Sequence, residues 1–306
     1  MDGFGEIGVF VRVVEARSFT RAGKRLGLTA SGVSRVITRL EARLGVRLLD
    51  RTTRSIGLTA EGAAYFERCV KLVRDLEEAD AAIAQGHGVP QGRLRVEAPT
   101  VIGNHVLGPA LPRFLAKYPG VSLDFSTRDH VIDPVAEGID VVIRMAELRD
   151  SDLVHKTIGS LRLLTVASPR YLAAHGEPAH PRDLRDHETL GFLTSPTPLP
   201  WRFREGDEEI VFVPSGKLRT NSAAAIFAGL EAGTGVSQLL ECYVEGPIAR
   251  GELRPLLGDY EPAPRPVNAL FAREKAALPK VRAFLEFAES AFRSAGRASR
   301  RRLDVR

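Results

Sequence analysis

With 306 residues, 44% hydrophobic and 26% charged, the chain is longer than one compact core usually needs and predicts two or more domains of ordinary globular composition. Its net charge of +5 is uneven: residues 1–59 carry +6, residues 293–306 carry +5 and the long middle carries −6, which points to a polyanion-binding end joined to a domain with another task, or to a plain surplus of surface arginine. Two cysteines argue against a disulfide framework or a cysteine zinc site, MDGFGEIGVF does not read as a signal peptide, and no apolar run reaches the ~18–20 residues that span a bilayer, so a cytoplasmic protein without membrane contact is expected.

Ile7, Phe10, Val11 and Val14 fall on one stripe of a first helix. Ser18 is placed to cap a short second helix over about 19–26, which Gly27 ends. Thr29 caps a third helix, whose apolar stripe is Val33, Ile37, Leu40 and Leu44. Its outer face reads Ser31, Gly32, Ser34, Arg35, Thr38 and Arg39, and the first acid is Glu41. Short hydroxyls and arginines reach phosphates and base edges without bulk, so a helix-turn-helix is indicated; a generic three-helix bundle would carry the same apolar stripes. RLLDRTTRSIGL then offers two β-like runs, Arg47–Leu49 and Ser55–Leu58, around a tip holding Arg51, Thr52, Thr53 and Arg54. That is the wing of a winged helix.

The run SFTRAGKRLGLTASGVSRVITRLEARLGVRLLDRTTRSIGLTAEG resembles the N-terminal signature of the LysR-type transcriptional regulators, ungapped from about residue 4 to residue 62. The resemblance implies double-stranded DNA contacts from Thr29, Ser31, Ser34, Arg35, Thr38 and Arg39 of the helix and from Arg51, Thr52 and Arg54 of the wing. Ala30 and Val36 depart from the family pattern, and the base preference inferred from the family does not carry over with them.

Thr59 is placed to cap a long helix running to about Gln85. Tyr65, Cys69, Leu72, Leu76, Ala79 and Ile83 repeat at 4, 3, 4, 3, 4, a heptad seam that fits either a helix packed on its own domain or a dimer interface. The resemblance favours the dimer, and a twofold dimer implies a promoter with inverted half-sites. A homotetramer built as a dimer of dimers and contact with RNA polymerase are further expectations, with the protein at the nucleoid when bound. GHGVPQGR reads as the hinge.

From Leu94 onward strands alternate with helices: LRVEA, a helix from Pro99-Thr100 through Tyr118, VSLDFST, a helix at DPVAEGI, and DVVIRM. A second set includes helices at PRYLAAHG and SAAAIFAGLEAG, and VNALFAR and PKVRAFLEFAESAF close the chain as strand and helix. The fold class expected is therefore multi-domain. A winged helix-turn-helix spans 1–59 and a linker helix and hinge 60–88. An α/β two-lobed effector domain, similar by the family resemblance to periplasmic-binding proteins, spans 89–294, with lobe I near 91–166 and 268–294 and lobe II near 167–267. Residues 295–306 read as a basic disordered tail.

Ligands of open α/β sheets gather at carboxyl ends of strands and at helix N-termini. That rule selects Thr100, Ser126, Thr127, Arg128 and Arg144 in lobe I, and Thr194, Ser195, Asn221, Ser222 and Gln238 in lobe II. Each also suits a cap or turn. Together they suggest a small-molecule effector, an anionic or aromatic carboxylate. No catalytic residue, metal site or cofactor is expected, since G-x-S-x-G, the P-loop, a full G-x-G-x-x-G and paired zinc histidines are all missing. The reading is of an effector-modulated, sequence-specific DNA-binding regulator; a solute-binding protein and a tethered α/β enzyme are the rivals.

Overall fold

The computed structural model describes residues 3–51, 56–84, 88–130, 133–135, 137–145, 153–194 and 197–303. The chain forms two compact units, Met1–His87 and Gly88–Arg306.

In the first unit, α1 (Gly3–Ala16), α2 (Phe19–Leu26) and α3 (Ala30–Leu44) precede a hairpin of β1 (Leu49–Arg51) and β2 (Ile56–Leu58), and α4 (Ala60–Ala84) follows. The predicted caps form: Ser18 Oγ accepts from Arg21 N–H, and Thr29 Oγ1 from Gly32 N–H at 3.1 Å. Gly27 ends α2 with φ +65°, a region that costs other residues a Cβ clash. The core joins Val9, Phe10 and Val13 of α1 to Ala22 and to Val33, Val36, Ile37 and Leu40 of α3. The buried face of α1 is thus wider than the predicted stripe, and Ile7 and Val14 are only half-buried.

The hairpin begins two residues later than its expected first strand. The Glu41 carboxylate accepts from the backbone N–H groups of Leu48 and Leu49 at 2.9 and 3.1 Å, and Thr59 binds the carbonyls of Arg47 and Leu48. Those groups are committed to α3 and to the start of α4, so antiparallel pairing starts only with Leu49 opposite Leu58. The wing tip, with Thr52 and Arg54, lies outside the described residues, as does the side chain of Arg51.

Thr59 caps α4 through Gly62 N–H at 2.9 Å. Along the expected seam, Tyr65 packs against the core of its own unit, with its ring 5.7 Å from that of Phe10, and Cys69 is buried. Leu72 and Leu76 stay about half exposed, at 50% and 46%. The side chains of Ala79 and Ile83 lie outside the description.

The second unit opens with β3 (Gly92–Ala98), the short helix α5 (Thr100–Ile102), α6 (Leu111–Lys117), β4 (Val121–Thr127), β5 (Val141–Arg144) and β6 (Leu153–Leu161). Next come β7 (Leu163–Ala167), α7 (Pro169–His175), β8 (Gly191–Phe192), β9 (Trp201–Glu205), β10 (Glu208–Phe212) and β11 (Arg219–Thr220). Then follow α8 (Ala223–Glu231), β12 (Val236–Leu240), α9 (Glu241–Ala249), β13 (Arg254–Leu256), β14 (Arg265–Ala272) and α10 (Pro279–Leu303). A five-stranded sheet runs β4-β3-β5-β14-β6, with β3 parallel to β4 and β5, and β14 antiparallel to its neighbours. Its core buries Leu94, Val96 and Ala98 under Phe284, Ala288 and Phe292 of α10. A second sheet, β12-β7-β13, is antiparallel, and β8 pairs in parallel with β11.

The chain passes between the sheets at Arg162 and returns just before Arg265. The Arg162 guanidinium binds Glu261 at 2.6 Å, so the two passages are tied together. Tyr243 of α9 adds a further link, 4.8 Å from the His105 ring and 5.6 Å from that of Phe227. Burial beside Tyr243 desolvates His105 and lowers its pKa, although the Glu245 charge opposes this.

Three expectations need correction. Among the described residues of DPVAEGI there are turns and no helix: the Asp133 carboxylate accepts from Val135 N–H, and Gly138 stands at φ +68°, a left-handed conformation that a helix does not continue through. The helix from Thr100 is broken by a π segment over 103–107 and a 3₁₀ turn over 108–110, because Pro109 has no N–H to continue the ladder. The expected disordered tail instead continues α10 to Leu303, since Ala, Arg and Leu are good helix formers that extend an already nucleated helix. Among the described residues no helix is long and apolar enough to cross a membrane.

Candidate functional sites

In α3 the apolar stripe faces the unit's core and leaves Thr29, Ala30, Ser31, Arg35, Thr38 and Arg39 exposed, with Ser34 half-buried at the margin. The Thr29 and Ser31 hydroxyls lie 3.1 Å apart, and Thr38 Oγ1 donates to the Ser34 carbonyl at 3.0 Å. Arg39 stands 3.9 Å from Glu6, which also holds Arg43 at 3.3 Å. Arg35 is exposed with no ion-pair partner among the described residues. A Cβ on Gly32 would meet only the Thr29 hydroxyl, at 3.1 Å, so that side of the helix is open to a close partner.

One departure from the family pattern moves off this face. Val36 is 3% exposed and packs in the core with Val33, three residues before it and so on the same stripe. Ala30 alone of the two remains on the exposed face. Sequence reasoning also missed Glu41, whose carboxylate fixes the root of the wing against α3. Its signal was an acid standing where the basic face ends.

In the second unit, the lobe I candidates collect around the carboxyl ends of β3, β4 and β5. Glu97 is fully buried, on the face of β3 opposite Val96 and Ala98. Arg144 binds it at 2.8 Å and also donates to the carbonyls of Ile143 and His130. Arg128 lies 2.5 Å from the other Glu97 oxygen and donates to Glu137 at 2.6 Å. These partners, Glu137 first and Glu97 after it, hold the Arg128 pKa above its ordinary value against the opposing effect of burial. Stripping a buried carboxylate of its partners costs about 3–5 kcal/mol, whereas an exposed pair contributes about 0–1 kcal/mol. Glu97 is therefore a fixed part of the site, and Glu137, 41% exposed at its side chain, is a loosely held one.

Thr100 N–H donates to Asp129 Oδ1 at 2.9 Å, so the start of α5 is already met by a carboxylate. Ser126 Oγ lies 3.5 Å from the Val96 carbonyl, and the Thr127 methyl fills the space where a Cβ on Gly103 would fall. In lobe II, Thr194 and Asn221 are exposed just past the paired strands β8 and β11, and Ser222 Oγ caps α8 through Ala225 N–H. Gln238 stands apart, buried with its amide donating to the Arg202 carbonyl at 3.2 Å; Ser195 lies outside the described residues. Sequence reasoning passed over the carboxylates Glu97, Asp129 and Glu137. A lone acid inside the strand LRVEA was the available clue.

Residues 4–63 match the model described as bacterial regulatory helix-turn-helix protein, lysR family, and residues 87–293 match the LysR substrate binding domain. The chain is 34% identical over 283 residues to the HTH-type transcriptional regulator CrgA of Neisseria meningitidis serogroup C (strain 8013), covering 92% of this chain and 94% of that relative. It is 33% identical over 287 residues to the HTH-type transcriptional activator AaeR of Escherichia coli (strain K12), covering 91% and 90%. The solved CrgA structure from Neisseria meningitidis is similar with a TM-score of 0.61 at 34% identity, over 94% of this chain and 98% of that one. The Vibrio cholerae virulence activator AphB gives 0.60 at 27% identity with the same coverage. With both units matched and regulators, not enzymes, as relatives along nearly the whole chain, the protein belongs to the LysR family of transcriptional regulators.

Proposed function

We propose that α3 and the wing hold promoter DNA, and that a small molecule bound between the lobes of the second unit modulates that binding. The observation that carries the DNA reading is the outward face of α3, where short hydroxyls surround an exposed Arg35 with no ion-pair partner among the described residues. Thr29, Ser31, Ser34, Arg35, Thr38 and Arg39, with Arg51, Thr52 and Arg54 of the wing, are its contacts. The half-exposed Leu72 and Leu76 support pairing of two copies along α4, which would set two half-sites in inverted repeat. A dimer of dimers, recruitment of RNA polymerase and a cytoplasmic, nucleoid-bound location complete the reading.

The effector site is built from Thr100, Ser126, Thr127, Arg128 and Arg144 on one lobe and Thr194, Ser195, Asn221 and Ser222 on the other. Gln238 is better read as a brace for β9, given its bond to Arg202. Effector binding acts by shifting the population of conformers that hold DNA differently. Two variants test the halves separately. Arg35→Ala should weaken operator binding and reduce the slope of log K against log salt by about 0.9 for each phosphate that the arginine no longer neutralises. Thr100→Val should leave operator affinity intact and remove the response to whichever metabolite raises the melting temperature in a thermal-shift screen. Unchanged slope and affinity in the first, or an undiminished response in the second, would sink the corresponding assignment.

A further inference from the structure

An effector anion in lobe I, the reading on which this inference rests, meets cationic and N–H groups that already have internal partners. Arg144 is committed three times over, to buried Glu97 and to the carbonyls of Ile143 and His130. Thr100 N–H is taken by Asp129. Arg128 is different: one side of its guanidinium faces buried Glu97, and the same Nη2 reaches out to Glu137, a carboxylate on an exposed turn. Glu137 is carried by the segment Asp133–Ile139, whose backbone bonds Glu137 N–H to Asp133 O and Gly138 N–H to Val135 O do not depend on where its carboxylate points. The next residue after that segment, Asp140, is anchored independently by Arg95 N–H and Lys275. The Glu137 side chain can therefore leave Arg128 without disturbing the turn or β5.

We infer that Arg128 is an exchange point at which the carboxylate of the effector replaces that of Glu137. Glu137 is a built-in competitor. It occupies Arg128 Nη2 in the free protein and lowers the apparent affinity of any incoming carboxylate about two- to fivefold. Glu97 stays in place beneath, so the incoming carboxylate meets one guanidinium edge rather than a bare cluster of positive charge. The site selects a single carboxylate carried on a larger group over a free polyanion, because Glu97 and Asp129 would repel additional negative charge.

Formate is the probe, as the smallest carboxylate and one that needs no particular fit beyond Arg128. Saturation transfer from the full-length protein to formate would be titrated for the wild type, Glu137→Gln and Arg128→Gln. Glu137→Gln, a change on an exposed side chain, should bind formate about two- to fivefold more tightly than the wild type, the gain expected from removing one exposed ion-pair competitor. Arg128→Gln should abolish the saturable signal, and Arg128→Lys, which keeps the charge opposite Glu97, should retain part of it. Equal formate affinity in the wild type and Glu137→Gln overturns the exchange, as does an unchanged signal in Arg128→Gln. The broader effector reading is judged separately, since Thr100→Val tests the metabolite response and formate reports only on Arg128.

Discussion

Arg35 and Arg128 are both arginines, both outside the hydrophobic cores, and their surroundings differ. Arg35 has no internal ion-pair partner among the described residues, so its charge is available to a phosphate or a base edge. Arg128 Nη2 lies between the buried Glu97 and the exposed Glu137, so its charge is already met inside the protein. The cysteines show the same dependence on surroundings. Burial is the main cause that pushes the Cys242 thiol up to about 12, with Glu241 and Glu245 adding to it, and burial also raises Cys69. At pH 8 Cys242 is then thiolate in only about one molecule in 10⁴, far too little for ready attack on an electrophile. Mass spectrometry after brief iodoacetamide treatment should find both cysteines unmodified in the native protein and both alkylated in urea. Native-state labelling of Cys242 would contradict its desolvated, protonated character and reopen a redox role.

Among the secondary-structure elements, glycine and acid positions decide how short helices meet. A Cβ on Gly23 would lie 2.5 Å from the Leu28 carbonyl oxygen, across the turn that joins α2 to α3. In an isolated helix, Gly→Ala gains about 0.5–1 kcal/mol. Here the backbone of Leu28 cannot move without shifting the Thr29 cap, so Gly23→Ala should lower the melting temperature by several degrees, as a net destabilisation of about 1–2 kcal/mol would do in a small domain. A rise in melting temperature would show that the turn yields. Most helices are legible in the sequence because stripe and cap agree, as at Ser18, Thr29 and Thr59. The turns at Asp133–Ile139 are not, because a short apolar-polar run cannot reveal that an aspartate and a left-handed glycine will close it. The first strand of the wing starts two residues later than its pattern for a comparable reason: Glu41, seven and eight residues away, claims the N–H groups that pattern alone assigns to the strand.

For the assembled protein, the heptad seam of α4 divides into an inner part and an outer one. Tyr65 and Cys69 belong to their own unit, whereas Leu72 and Leu76 present apolar surface that a second copy would cover. The double change Leu72→Glu and Leu76→Glu should leave the first unit folded but shift the protein to a smaller species in sedimentation velocity, with weaker operator binding. A mass distribution identical to wild type would place the assembly interface elsewhere.

Periodicity, caps and a dense N-terminal motif are local properties, so the winged helix-turn-helix, the long helix and the alternating α/β pattern can all be read from the chain alone. The same holds for the hydroxyls and arginines on the outer face of α3. The core position of Val36 and the placing of Arg128 and Arg144 on either oxygen of Glu97 emerge only once the chain is folded. Those outcomes depend on which distant groups burial brings within a few ångströms. A charged residue in a strand reads the same in sequence whether it meets water or two guanidinium groups.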